Sequence, residues 1–242
     1  MTVILLRHGV STSNTAHTLA GRSPGVELTE RGAEQARTVA ERLGGLPLQQ
    51  IVISPMLRCQ RTVAPLADKT GLEPVVEQRL AEVDYGEWTA RPIAELLKEP
   101  LWKVVQRHAS AAVFPGGEGL ADVQTRAVAA IREHDRALAE QHGGEVLWVA
   151  CTHGDVIKSV LADALGLHLD GFQRIVVEPA SISVVRYTPT APYVLRINDT
   201  GSELDGLAPA QPSAQAGPVP GGELGAAGNT DNGNARPSDS SS

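Results

Sequence analysis

Three short, uninterrupted apolar runs, Val3–Leu6, Ile51–Ile53 and Val146–Ala150, are separated by longer stretches in which apolar residues recur every three or four positions. Continuous apolar runs of this length predict strands buried on both faces, as in the middle of a parallel sheet. Between them the helical period dominates. Ala33, Ala36, Ala40 and Leu43 follow Thr29, a good N-cap residue, with Leu28 and Ala33 placed to form a hydrophobic staple and Gly44-Gly45 placed to stop the helix. A second helix is expected from about Met56 to Thr70, closed by Gly71. Val123, Ala127, Ala130 and Leu138 mark one face of a long helix ending before Gly143-Gly144, and Val156–Leu165 reads as a helix stopped by Gly166.

Weaker signals fill the remainder. Pro74–Val76 reads as a third strand, and short helices broken near Pro100 are expected over Pro92–Arg107. Ile182–Tyr187 and Tyr193–Ile197, parted by Thr188-Pro189-Thr190-Ala191-Pro192, read as two edge strands. The loop Val10–Gly25 and the stretch Leu80–Trp88 show no period. Strands alternating with helices at these lengths suit right-handed crossovers, and predict an α/β fold: a three-layer αβα sandwich around a mostly parallel central sheet. Ligands of such sheets bind at the carboxyl ends of the strands. His8, Ser54 and His153 all follow apolar runs, so the topology can make them neighbours.

Composition divides the chain in two. The periodic part ends near Gly201, and residues 202–242 are dominated by Gly, Pro, Ala, Ser and Asn, which cannot offset ordering entropy by burial. One domain over 1–201 and a disordered low-complexity tail over 202–242 are therefore expected. The formal charge of -7 belongs partly to that tail; setting aside its five acids and Arg236 leaves 23 acids against 20 bases in the body. With no basic field, nucleic acid is not an expected partner. Any anionic ligand must then be held by a local cluster. The apolar run before Arg7 is too short for a leader and nothing approaches a membrane span, so a soluble, cytoplasmic protein is expected. Cys59 and Cys151 read as reduced, packed thiols.

Taken singly, the candidate residues have ordinary readings: a hydrogen-bonded structural His, a solvated Arg, an exposed acid. Together they make a compact cationic pocket in which guanidinium groups match phosphoryl oxygens and an imidazole serves as donor or nucleophile. Phosphoryl transfer needs chiefly positioning and charge neutralisation. The chain shows neither a Walker-type loop nor a cluster with metal-ligand spacing, so no metal or cofactor is expected.

Five motifs occur in order: Arg7-His8-Gly9 with Asn14; Ser54-Pro55-Met56-Leu57-Arg58 with Thr62; Leu80-Ala81-Glu82 through Gly86-Glu87-Trp88; Pro115-Gly116-Gly117-Glu118; and Thr152-His153-Gly154. In this the chain resembles the histidine phosphatase superfamily over about residues 3–200, in the branch similar to phosphoglycerate mutase, and the resemblance implies a phosphoglycerate mutase-like fold. It also implies that His8 is the nucleophile, that Arg7, Arg58 and His153 hold the phosphoryl oxygens with help from Asn14, and that Glu82 is the proton donor. Gly21, Arg22, Tyr85 and Gly154 complete the expected substrate-binding set, although Arg22 also reads as a solvated loop residue. Family members are often dimers or tetramers, which implies a homodimer.

Departures from the resembled mutases bear on the reaction. Those proteins carry an Arg directly after the acid and an Arg pair in the following insert, gripping a second anionic group; here Val83 follows Glu82 and the insert reads Gln106-Arg107-His108-Ala109-Ser110. Tyr85-Gly86 matches the mutases, whereas Glu87-Trp88 looks more like the phosphatases. The expected activity is metal-independent hydrolysis of a small phosphorylated metabolite through a phosphohistidine. A 2,3-bisphosphoglycerate-dependent mutase is the alternative, and a non-catalytic phospholigand-binding protein the third reading. The protonation of Glu82 stays open at this point, because burial would raise its pKa and nearby cations would lower it.

Overall fold

In the computed structural model, residues 1–201 are described, together with the backbone of two short strands, Pro218–Val219 and Glu223–Leu224, which pair antiparallel. Apart from that pair, the expected disordered tail over 202–242 lies outside the described residues. The body runs β1 (Thr2–Arg7), α1 (Thr12–Thr15), α2 (Glu30–Leu43), β2 (Leu48–Ile53), α3 (Leu57–Thr70), β3 (Val75–Val76), α4 (Ile93–Leu96), α5 (Pro100–Arg107), α6 (Leu120–His142), β4 (Leu147–Thr152), α7 (Gly154–Ala164), β5 (Ile182–Tyr187) and β6 (Pro192–Asp199), with short 3₁₀ turns between. Its sheet has the order β3-β2-β4-β1-β5-β6. Strands β3, β2, β4 and β1 pair in parallel; β5 runs antiparallel to both β1 and β6.

Alternation along the strands divides the interior into two cores, one on each face of the sheet. Ile4, Leu6, Ile51, Ile53, Val149 and Cys151 pack with Val39, Ala40 and Leu43 of α2 and with Cys59, Val63 and Leu66 of α3. Val3, Leu5, Val52, Trp148 and Ala150 face the larger core, which includes Val123, Ala127 and Ile131 of α6 and Val156, Val160 and Leu161 of α7. Runs that are apolar at every position are thus explained by a sheet covered on both sides. The two cysteines are free and buried in the smaller core.

The helix signals translate directly into caps. Thr29 Oγ1 accepts the Gly32 amide at the start of α2, and Gly71 and Gly143 end α3 and α6 in the left-handed conformation. Two expectations need correction. The loop Val10–Gly25 contains a helical turn, α1, because Ser11 Oγ accepts the Asn14 amide while Asn14 Oδ1 accepts the Ser11 amide, a reciprocal cap that has no apolar period. Strand β5 is not an edge: it lies between β1 and β6, and its polar Ser183 is buried, so only β6 of that pair is peripheral. Among the described residues no helix is long and apolar enough to cross a membrane.

Candidate active site

Register brings the two histidines together. Arg7 is paired with Thr152 across β1 and β4, and the His8 amide donates to Thr152 O at 3.0 Å, so the residues after the two strands leave the sheet side by side. The imidazole centroids of His8 and His153 are 5.3 Å apart. On the other side of β4, the Ser54 amide donates to Cys151 O at 2.9 Å, which puts Ser54 Oγ 2.7 Å from His153 Nε2. The expectation that three strand ends converge is met by these contacts.

His8 Nδ1 lies 2.8 Å from Gly9 O, which can only accept. Nδ1 therefore carries the proton in the neutral ring, and the lone pair is on Nε2. Burial, then Arg58 and Arg7, push the His8 pKa well below its ordinary 6.5, so the ring stays neutral at physiological pH. The turn after His8 depends on close backbone packing: a Cβ at Gly32 would lie 2.1 Å from Val10 O, and one at Gly9 would lie 2.7 Å from Gly32 O. Thr62 Oγ1 completes the support by accepting the Gly9 amide at 3.0 Å.

Arg58, one residue into α3, is 1% exposed. Its guanidinium donates to Gly21 O at 2.9 Å and to His153 Nδ1 at 3.1 Å. Because Arg only donates, His153 accepts at Nδ1 and its Nε2 proton faces Ser54 Oγ. Arg58 Nε is buried with no hydrogen-bond partner. Arg7 is fully buried, with one guanidinium nitrogen donating to Val177 O at 2.8 Å. Burial first, then Arg58, His8 and Arg7, hold the His153 pKa well below the ordinary value.

Glu82 faces this group. Its Oε2 lies 3.6 Å from His153 Nδ1 and 3.9 Å from Arg58, while Oε1 accepts the Val83 amide at 2.9 Å. Burial raises its pKa from 4.5 to about 7, against the opposing pull of Arg58. The competition left open by the sequence is thereby decided: desolvation wins, and the carboxyl exchanges its proton near neutral pH.

The backbone that carries Glu82 is held by residues that sequence reasoning did not assign. Arg126 of α6 donates to Arg79 O at 2.6 Å, Ala81 O at 2.8 Å and Glu82 O at 3.2 Å. Glu118 accepts from Arg126 at 2.6 Å and from the Asp84 amide at 2.9 Å. Gly86, at φ +52, and Gly117 allow this contact, since a Cβ on Gly86 would lie 2.1 Å from Pro115 O and one on Gly117 2.2 Å from Asp84 O. The Pro-Gly-Gly-Glu turn thus presses backbone to backbone against the Glu82 segment. The motif marks this turn in the sequence, whereas Arg126, its partner, belongs to none of the five motifs.

Beneath the site lies a buried polar chain. Tyr85 OH donates to Asp155 Oδ2 at 2.9 Å, Lys158 Nζ is 3.6 Å from Asp155 Oδ1, and Nζ donates to Gln173 Oε1 at 3.0 Å. Burial holds the Tyr85 hydroxyl protonated and lowers the Lys158 pKa. Asp155 and Lys158 had no distinguishing signal beyond their position after His153-Gly154.

A small cleft opens beside His8, lined in part by His8, Ser11, Asn14, Arg58 and Glu82. Of the expected substrate-binding set, Gly21 and Tyr85 are in its lining and Arg22 and Gly154 are not. Arg22 donates to Glu82 O at 2.9 Å and Glu118 Oε1 at 3.0 Å, so it braces the segment that carries the acid while remaining an exposed loop residue. Gly154 is buried as the first residue of α7. Arg7 and His153 are buried and do not line it, His153 being in contact with His8 and Arg58. Among the described residues, no group of three or more His, Cys, Asp or Glu side chains is arranged to hold a metal ion.

With this geometry in place, comparison with known proteins is decisive on family. The model of the histidine phosphatase superfamily (branch 1) matches residues 3–200. The chain belongs to the histidine phosphatase superfamily, and is an enzyme of that family. A relative from Yersinia pestis named "Probable phosphoglycerate mutase GpmB" is 33% identical over 187 residues, covering 76% of this chain and 84% of its own. A mycobacterial glucosyl-3-phosphoglycerate phosphatase, solved with VO3, superimposes with a TM-score of 0.74 at 27% identity, over 81% of this chain and 98% of the other. The α-ribazole phosphatase of Shigella flexneri shares the fold, with a TM-score of 0.71 at 22% identity over 84% and 100% of the two chains. These histidine phosphatase neighbours place the six-stranded sheet and its flanking helices in the phosphoglycerate mutase-like fold.

Proposed function

We propose that the protein is a metal-independent phosphomonoesterase that hydrolyses a small phosphorylated metabolite through a phosphohistidine on His8. The observation that carries this reading is the pairing of a neutral imidazole, its Nε2 lone pair free of the Gly9 contact, with a buried carboxyl of pKa about 7 and two buried guanidinium groups around it. In the first step His8 Nε2 forms a bond to phosphorus as the ester P–O bond breaks, and the leaving oxygen takes the Glu82 proton. Arg58 and Arg7 offset the charge of the transferring group, with Asn14 in the lining of the cleft. In the second step Glu82, now a carboxylate, takes a proton from water as its oxygen attacks phosphorus. The N–P bond breaks, releasing phosphate and neutral His8.

Water is the favoured acceptor because, among the described residues, no second cationic grip lines the cleft beside the one around His8; the segment after Glu82 supplies Val83 and a Tyr85 committed to Asp155. The phosphatase superposition supports the same reading. The mutase reading draws support from the 33% identical relative and its name. Purified protein is expected to hydrolyse p-nitrophenyl phosphate in EDTA, to accumulate acid-labile, base-stable phosphate on His8, and to lose both with His8→Ala. Efficient interconversion of 3- and 2-phosphoglycerate that depends on 2,3-bisphosphoglycerate would replace hydrolysis by mutase activity.

A further inference from the structure

The lining of the cleft combines two kinds of chemistry. Besides His8, Ser11, Asn14, Arg58 and Glu82 it has a wall of Thr18, Leu19, Ala20, Tyr85 and Ile93. Two loop segments make this wall by pairing with each other: the Leu19 amide donates to Arg91 O at 3.0 Å, the Ala90 amide to Leu19 O at 2.7 Å and the Ile93 amide to His17 O at 2.9 Å. Their backbone groups are thus spent on one another, and the wall offers a substrate mostly carbon with one threonine.

The cations on these two segments are engaged by other groups. Arg22 is engaged by Glu118, Asp84 and the Glu82 carbonyl. Arg91 is engaged by Glu99 at 2.9 Å and Glu95 at 3.8 Å. Among the described residues Arg58 is the one Lys or Arg in the lining, and it donates to His153 beside Glu82. A carboxylate or second phosphate seated against Leu19, Ala20 and Ile93 would lose water there with no second cation of the described lining to receive it.

Resting on the phosphatase reading, we infer that the leaving group is an uncharged alcohol whose carbon skeleton lies against Ile93, Leu19 and Ala20, and that esters carrying a second anion are selected against. This distinguishes the chain's substrate from a phosphoglycerate. Glycerol phosphate and 3-phosphoglycerate provide the direct test, because they differ only in a hydroxymethyl group against a carboxylate; phenyl phosphate adds an apolar leaving group.

Phosphate release from the full chain should give kcat/KM for glycerol phosphate at least about tenfold above that for 3-phosphoglycerate. Ile93→Ala should raise KM for phenyl phosphate severalfold more than for glycerol phosphate, and Ile93→Arg should narrow the gap between the glycerol phosphate and phosphoglycerate values. Equal or better hydrolysis of 3-phosphoglycerate by the unmodified protein overturns the inference while leaving the phosphatase standing. Absence of phosphate release from all three esters, together with no phosphohistidine, overturns the phosphatase reading itself and the inference with it.

Discussion

Glu82→Gln should separate stability from chemistry in opposite directions. Burial lifts the carboxyl from 4.5 in an unfolded chain to about 7 in the fold, a difference of about 2.5 pH units, or on the order of 3 kcal/mol at about 1.4 kcal/mol per unit. The folded state holds this proton more tightly than the unfolded state. The associated stability is therefore complete below pH 4.5 and is lost as the pH rises through 7. A glutamine, which cannot ionise, escapes that loss, so urea denaturation should show the variant gaining on the parent by up to about 3 kcal/mol between pH 5 and pH 8. Catalysis should move the other way. For an alkyl phosphate, whose leaving oxygen needs a proton, kcat/KM of the parent should fall about tenfold per unit above pH 7, whereas the variant should be slower by about 10²–10⁴-fold below pH 7 and lack that limb. p-Nitrophenyl phosphate, which departs as a stable anion, should lose much less. Ionisation of the substrate phosphate near pH 6 affects both proteins alike and does not obscure the comparison. A limb near pH 7 that survives the substitution, or a stability difference that does not grow with pH, would refute the role of Glu82 as a buried acid.

Removing Arg126 with Arg126→Met takes the side-chain donor from the Arg79 and Ala81 carbonyls and one of the donors from Glu82 O and from Glu118; a rate loss of about 10²-fold on alkyl phosphates, smaller on p-nitrophenyl phosphate, and a destabilisation on the order of 2 kcal/mol are expected from kinetics and denaturation. Asp155→Asn removes a negative charge that helps to raise the Glu82 pKa, so the alkaline limb of kcat/KM should move to lower pH, and a limb that stays in place would show that Asp155 acts only through packing. His8 and His153 are both held neutral, with folded pKa values below the ordinary 6.5; their stabilising effect is present above pH 6.5 and is lost as the pH falls toward the folded values. Tm should accordingly drop more between pH 7.5 and 5.5 in the parent than in His8→Asn.

Local pattern was enough to read most of the scaffold. Fully apolar runs announced strands with helices on both sides, since a face left to water would have shown polar alternation. Thr29, Gly71 and Gly143 marked helix ends because each serves a conformation or a hydrogen bond defined within a few residues. Resemblance supplied His8, Arg58, Glu82 and His153 as a set, and the geometry shows them gathered at one end of the sheet. Position in the sheet was a different matter: the turn Thr188-Pro189-Thr190-Ala191-Pro192 suggested two edge strands, and only the pairing of β5 with β1 makes it internal. Arg22 reads in the sequence as a substrate or solvent contact, Glu118 as part of a motif without a role, and Arg126 belongs to no motif, yet they converge from a loop, a turn and a helix on the segment around Glu82. The protonation of Glu82 belongs to the same class, because desolvation and charge act with opposite sign and their balance depends on distances across the chain. Periodicity encodes which side of an element is buried; strand register, which is long-range, determines which ends meet and therefore how strongly their charges act on each other.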